Sequence, residues 1–138
     1  LEISANGLKL FTGVDGQGAV NFKYEKMNAT VLYSKIADSF LPAEIQGETG
    51  TFTLDRIHSI RQVNFTPKGG EPEQLSLPAV HNEYYYELAE FINLIENQQS
   101  ESVINSHTNS LITLEIIDEV RRQLGVIYPA DFPFAKNN

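Results

Sequence analysis

The sequence predicts an α+β fold: an open, predominantly antiparallel β-sheet with two C-terminal helices packed on one face. Three observations predict it. Alternating or β-rich segments fill the chain from Gly7 to Leu77, short turn signals separate them, and beyond His81 the apolar period changes from two to about 3.6. Short connections favour antiparallel neighbours, because a parallel pair needs a crossover of about a dozen residues or more. Strands first and helices after them make a layered α+β arrangement.

The strands are expected over 7–12, 19–25, 29–36, 43–47, 51–54, 59–66 and 74–77. Turns are expected at Gly13-Val-Asp-Gly-Gln-Gly18, Glu25-Lys-Met-Asn28 and Pro67-Lys-Gly-Gly70. Gly47 and Gly50 flank Glu48-Thr49, with Ile45 before and Phe52 and Leu54 after. This spacing reads as a tight hairpin whose glycines supply positive φ. Alternation puts Val20, Phe22 and Tyr24 on one side of their strand, and Ala19, Asn21 and Lys23 on the other. In the next strand Ala29, Val31 and Tyr33 oppose Thr30, Leu32, Ser34 and Ile36, so that strand is apolar on both sides. Two helices on one face leave the other face bare, which reads as an interface; the alternatives are a better-covered sheet or an edge strand of mixed character.

The first helix is expected over 81–98, with Asn82 as its N-cap and Tyr84, Leu88, Phe91, Ile92 and Ile95 along its stripe, Tyr84 and Leu88 belonging to the core. The second starts near Asn105 or Ser106 and carries Leu111, Leu114, Ile117, Val120, Arg121 and Leu124 on one face. Gly125 stops it in a left-handed conformation. Tyr128-Pro129 and Phe132-Pro133 then enforce an extended tail.

With 138 residues and 41% hydrophobic content, the chain is the size of one domain with a core of its own. It has no cysteine, which excludes disulfides and thiolate metal sites. Its net charge of −8 opposes phosphate backbones and anionic lipid, so neither nucleic acid nor membrane is expected as a partner. No apolar run reaches the roughly 18 residues of a membrane span, and the N-terminus lacks the features of a signal peptide, so a cytoplasmic location is expected. The chain begins at Leu1 in a strand-like pattern without methionine, which reads as an excised piece of a longer protein.

Gly13, Gly16 and Gly18 lie between two strands and open no helix, so they read as turn glycines rather than a pyrophosphate cradle. His58, His81 and His107 are dispersed, without metal-ligand spacing. Glu44, Glu48 and Asp55 read as solvated hairpin carboxylates. Lys35 is the better candidate for a contact with substrate, because a lysine in an apolar strand must reach an anion, a carbonyl or solvent; the alternative is a pair with Asp38 or a stem stretched along the strand end. Tyr84, Tyr85 and Tyr86 point about 100° apart on a helix and form no common platform. Arg121 and Arg122 suit the negative end of the helix dipole.

Three stretches carry a resemblance: Tyr33-Ser-Lys-Ile-Ala-Asp-Ser-Phe-Leu-Pro-Ala-Glu-Ile-Gln-Gly-Glu-Thr-Gly-Thr-Phe-Thr-Leu-Asp55, Glu90-Phe-Ile-Asn-Leu-Ile-Glu96, and the run from Ser110 through Glu115-Ile-Ile-Asp-Glu-Val-Arg-Arg-Gln-Leu-Gly-Val-Ile-Tyr-Pro129. In this order they resemble the C-terminal domain of the Gfo/Idh/MocA (glucose-fructose oxidoreductase, inositol dehydrogenase) family, in its dihydrodiol and xylose dehydrogenase branch. The resemblance implies a sheet like that of the glyceraldehyde-3-phosphate dehydrogenase C-terminal domain, across residues 1–138, which shapes a small-molecule substrate site and pairs with its twin. It implies a Rossmann domain holding NAD or NADP elsewhere in the full protein, and an activity on a sugar, polyol or dihydrodiol. The family's Glu-Lys-Pro motif and its acid–base helix have no counterpart here, so no catalytic, cofactor-binding or metal residue is assigned, and the chain alone is expected to be inert. Lys35 is the candidate for lining the substrate site, and Val31, Tyr33 and Ile45 for the face of a homodimer. A stand-alone α+β ligand-binding or oligomerisation module is the rival reading.

Overall fold

A computed structural model describes residues 1–75, 82 and 84–132. In chain order the elements are β1 (Glu2–Lys9), β2 (Asp15–Lys23), β3 (Asn28–Ser34), β4 (Ala43–Gln46), β5 (Gly50–Leu54), β6 (Val63–Pro67), β7 (Glu73–Leu75), α1 (Tyr85–Glu96) and α2 (His107–Leu124), followed by one 3-10 turn over Pro129–Asp131. The chain divides into two compact units, Leu1–Asp38 with Glu101–Asn138, and Ser39–Ser100. Every strand pairing is antiparallel, as expected, but the strands form two sheets, β1-β2-β3 and β4-β5-β6-β7. One cause of the break is local. β3 stops at Ser34 because its hydroxyl accepts from the amides of Ile36 (3.2 Å) and Ala37 (2.9 Å), a side-chain turn that competes with a strand ladder.

In the first unit, Ala5 faces Val20 and Val20 faces Val31. Leu10 and Val14 close the first turn, with Gly13 at φ 88°, and the Tyr24 amide donates to Met27 to close the second. Gly16 and Gly18, expected in the turn, belong to β2. From this register, Ile3, Ala5, Gly7, Gly18, Val20, Phe22, Ala29, Val31 and Tyr33 share one face. α2 lies on that face at β1: a Cβ added to Gly7 would stand 3.2 Å from Leu124 Cδ2. Val20 is 5% exposed and Val126, just beyond α2, 4%. The opposite face is mixed, with exposed Leu8 and Leu32 beside Lys23 paired to Glu2 (3.1 Å) and the Thr30 hydroxyl donating to Asn21 (2.9 Å).

Of the two proposed caps for α2, Ser106 is the one used: its Oγ accepts from the Asn109 amide (3.1 Å). Gly125 ends the helix at φ 65°, as expected, and the Val126 amide returns to the Arg121 carbonyl. Arg121 then fastens the following segment, bonding Asp118 (2.7 Å) and Asp131 while its guanidinium lies 4.4 Å from the Tyr128 ring centroid. The leading half of the α2 stripe, Leu111 and Leu114, is exposed.

The second unit is a four-stranded meander. Ala43, Ile45, Phe52, Leu54, Val63, Phe65 and Leu75 share one face, with Glu73 opposite Phe65 as its charged member, while Glu44, Gln46, Thr51, Thr53, Asn64, Thr66 and Gln74 share the other. Phe52 and Phe65 meet with ring centroids 4.8 Å apart. The β4–β5 hairpin closes through the Gly47 amide to the Gly50 carbonyl (2.9 Å), but neither glycine has positive φ, contrary to expectation. Gly50 is needed for close approach instead: an added Cβ would meet Thr66 O at 2.6 Å and the Phe65 ring at 2.7 Å. α1 begins later than expected, at Tyr85. Asn82 precedes its cap and accepts from the Tyr84 amide (2.9 Å), while His81 lies outside the described residues. Among the described residues α1 forms no packed layer with the strands of its own unit, so Tyr84 and Leu88, expected in a core, are exposed. The α+β class, with open antiparallel sheets and two helices, is as expected, and α2 packs on β1.

Two outcomes are expected. Arg122 grips the Glu119 carboxylate with two bonds (2.6 and 2.7 Å) and Gln123 adds a third (2.7 Å), holding its pKa at about 2 against an ordinary 4.5. Because the folded value is depressed, this contribution to stability is complete above the unfolded value and is lost as pH falls from 4.5 towards 2. Circular dichroism melts should show the loss in that window, and Glu119→Gln should flatten it. Gly50→Ala, read by urea unfolding, should destabilise the second unit by about 1–3 kcal/mol. Gly50 packs against a backbone oxygen that cannot move aside.

Candidate functional site

One end of the three-stranded sheet gathers Asp15, Tyr33 and Lys35, and a break in register makes the gathering possible. β1 and β2 pair residue for residue up to Leu8–Gln17, after which Lys9 faces Asp15 and Gly16 is left over. This bulge reverses the parity of β2. By strict alternation Asp15 would share a face with Gln17 and Ala19; after the extra residue it shares the face of Gly18 and Tyr33. Lys35 reaches the same face by extending the ladder, its amide donating to the Gly16 carbonyl (2.7 Å). A Cβ on Gly16 would stand 2.7 Å from Leu10 Cδ2, so the bulge position has no room for a side chain.

Lys35 Nζ donates to Asp15 Oδ1 at 2.7 Å, rather than to Asp38, the pairing considered from sequence. The Asp15 side chain is 16% exposed and that of Lys35 54%. The Lys35 hydrogen bond is the main cause that holds the Asp15 carboxyl below its ordinary range. Tyr33 lies across Gly18, whose added Cβ would meet the ring edge and hydroxyl at 2.8 Å. The Tyr33 hydroxyl is buried and makes no hydrogen bond of good geometry; burial first, then the charge of Asp15, push its pKa up. The result is a fixed carboxylate, a half-exposed ammonium with protons to spare, and a flat ring. Such a set can orient a hydroxyl group, which accepts from Lys35 and donates to Asp15.

The remaining sequence candidates lie elsewhere. Val31 shares the Tyr33 face, which is the side that carries α2, and is 43% exposed. Ile45 belongs to the other unit and is 62% exposed on its apolar sheet face. His58 is exposed in the β5–β6 loop, and the His107 amide opens α2 by donating to Glu101. Glu44 accepts from Gln46 (2.8 Å). Asp55 organises its loop by accepting from the amides of Arg61 (3.0 Å) and Gln62 (3.1 Å), which lower its pKa. Tyr85 and Tyr86 meet edge to face, 5.4 Å between centroids. Among the described residues no group of three His, Asp or Glu is placed to hold a metal ion, and no helix is long and apolar enough to cross a membrane.

The sequence signal for Asp15 is an aspartate followed directly by glycine where a turn enters a strand. The glycines do not build a dinucleotide cradle: Gly13 sits in a turn, Gly16 and Gly18 in a strand, and no helix N-terminus follows them.

No protein-family model matches the chain. Curated relatives do. Scyllo-inositol 2-dehydrogenase (NADP(+)) IolU of Bacillus subtilis is 41% identical over 130 residues, 94% of this chain and 40% of the relative. The uncharacterized oxidoreductase YgjR of Escherichia coli is 35% identical over 132 residues, 94% of this chain and 39% of the relative. Trans-1,2-dihydrobenzene-1,2-diol dehydrogenase of Danio rerio is 31% identical over 140 residues, 94% of this chain and 41% of the relative. The chain therefore spans about two fifths of the length of the relatives it matches. With the strand, hairpin and helix order already described, these matches are consistent with the C-terminal domain of a Gfo/Idh/MocA oxidoreductase.

Proposed function

We propose that this sequence is the substrate-side and dimerisation domain of a cytoplasmic NAD(P)-dependent dehydrogenase acting on a sugar, polyol or dihydrodiol. The observation that carries the reading is the match across 94% of the chain to relatives named for inositol and dihydrodiol oxidation, both ring compounds with neighbouring hydroxyls. The nicotinamide, when bound, supplies the hydride chemistry. No described residue of this chain forms its cradle, so the reading assigns cofactor binding to a Rossmann domain in the rest of the protein, and no hydride step is derived from these residues.

In this reading Lys35 lines the substrate site. Its ammonium and the Asp15 carboxylate hold one ring hydroxyl between them, and Tyr33 fixes the carboxylate's surroundings. Dimerisation uses an open sheet face, for which Ile45 and Phe52, 62% and 38% exposed, are the best-supported members; Val31 and Tyr33 remain candidates on the other sheet. The net charge of −8 fits neither nucleic acid nor an anionic membrane.

The test is Lys35→Met in the complete reading frame that contains this sequence. Loss of one charge-assisted hydrogen bond should raise KM for the accepted polyol by roughly tenfold or more, with kcat changed far less. The 138-residue chain alone should show no turnover with NAD(P) and the same polyols. An unchanged KM removes Lys35 from the substrate site; turnover by the chain alone overturns the domain assignment. In the chain alone, carboxyl NMR should also show the Asp15 pKa rising in Lys35→Met, which checks the pair independently of catalysis.

A further inference from the structure

The bulge at Gly16 does more than aim Asp15 at Lys35. Continued regularly from Leu8–Gln17, the β1–β2 ladder would set Lys9 opposite Gly16, which has no side chain; the surplus residue sets it opposite Asp15 instead. Directly opposed residues project to one face with Cβ atoms about 5 Å apart, well within the reach of a lysine stem. Asp15 therefore has a lysine on either side, Lys9 at the end of β1 and Lys35 just beyond β3.

Only one of the two rests on the carboxylate. Lys35 Nζ holds Asp15 Oδ1 (2.7 Å), and it is this lysine that lowers the Asp15 pKa. Lys9 Nζ donates to the Gly125 carbonyl (3.1 Å), the single hydrogen bond of its ammonium among the described residues. α2 does not need that bond for its cap, because the Gly125 and Val126 amides already close the last turn on the Arg122 and Arg121 carbonyls. Lys9 is exposed, and its ammonium has protons to spare. Two ammoniums around one carboxylate form a set with more donors than acceptors. A second ligand hydroxyl beside the first supplies an acceptor for Lys9.

We propose that Lys9 is a second ligand-binding residue of this site, its ammonium exchanging the Gly125 carbonyl for the hydroxyl next to the one held by Lys35 and Asp15, so that the site selects polyols with adjacent hydroxyls. This role rests on the reading of Lys35 as a substrate-site residue.

The test in the complete reading frame is Lys9→Met, which keeps the apolar stem. It should raise KM for the accepted polyol roughly fivefold with kcat changed far less, and Lys9→Arg should restore it. Among analogues of that polyol lacking one hydroxyl at a time, one should show the same KM with Lys9→Met as with the unsubstituted protein. A role confined to tying α2 to β1 would not distinguish the analogues. The reach of Lys9 is read without catalysis in the 138-residue chain by carboxyl NMR. Lys9→Met alone should leave the Asp15 pKa little changed, and added to Lys35→Met it should raise that pKa further, because Lys9 takes over the vacated carboxylate. A KM unchanged in Lys9→Met, a change of the same size for every analogue, or no further rise of the Asp15 pKa in the double variant each overturns the proposal. If Lys35→Met leaves KM unchanged as well, the substrate-site reading falls with it; a KM raised by Lys35→Met but not by Lys9→Met removes Lys9 alone.

Discussion

The first unit depends on the seam where the end of α2 meets β1. Three hydrogen bonds make it, Ala5 to Gln123, Gln123 to Ile3 and Lys9 to Gly125, joining residues 118, 120 and 116 positions apart. Closing a flexible loop of that length costs on the order of 4 kcal/mol beyond a constant. Polar bonds on a half-exposed surface, at about 1 kcal/mol each, do not offset it with a margin. Apolar packing, as of Leu124 against Gly7, contributes beside them. The hydrogen bonds choose which residues of β1 meet which turn of α2.

The position of Asp15 follows from the same sheet by a different route. A regular β2 would aim it away from Tyr33, and an ion pair with Lys35 would have to cross the sheet. One surplus residue at Gly16 cancels this, and two tight approaches fix the result: Leu10 against Gly16 and Tyr33 against Gly18. The bulge therefore costs conformational freedom at two glycines and returns a carboxylate aimed at a lysine, which is the commonest use of such irregularities beside binding sites.

What could be read from the sequence separates along this line. Periodic features were legible. The β segments alternate as expected between Ala43 and Leu54, α2 stops at Gly125 in the left-handed region, and Ser106 caps it, because each depends on residues within one turn of itself. Features set by a partner far along the chain were not. Lys35 has Asp38 three residues away and pairs with Asp15 twenty residues away, a choice made by the β2–β3 register and the bulge. Gly50 was read as a source of positive φ and is instead a gap for Phe65, visible only once β5 and β6 are paired. Tyr84 and Leu88 carry the right period for a core, but period states only that one face is apolar and not what covers it.

The two sheets differ in what they leave bare. On the first, the face away from α2 mixes paired polar groups, Glu2–Lys23 and Asn21–Thr30, which lose as much as they gain on being desolvated, with the exposed side chains of Leu8 and Leu32. On the second, Ile45, Phe52, Phe65 and Leu75 lie together with no helix of their own unit packed over them among the described residues. Contact with that surface gains free energy chiefly from its apolar area. The Asp15–Lys35 ion pair is built on the first sheet, where a β-bulge aims its carboxylate, and the second sheet is built on the alternation that gathers its apolar side chains on one face.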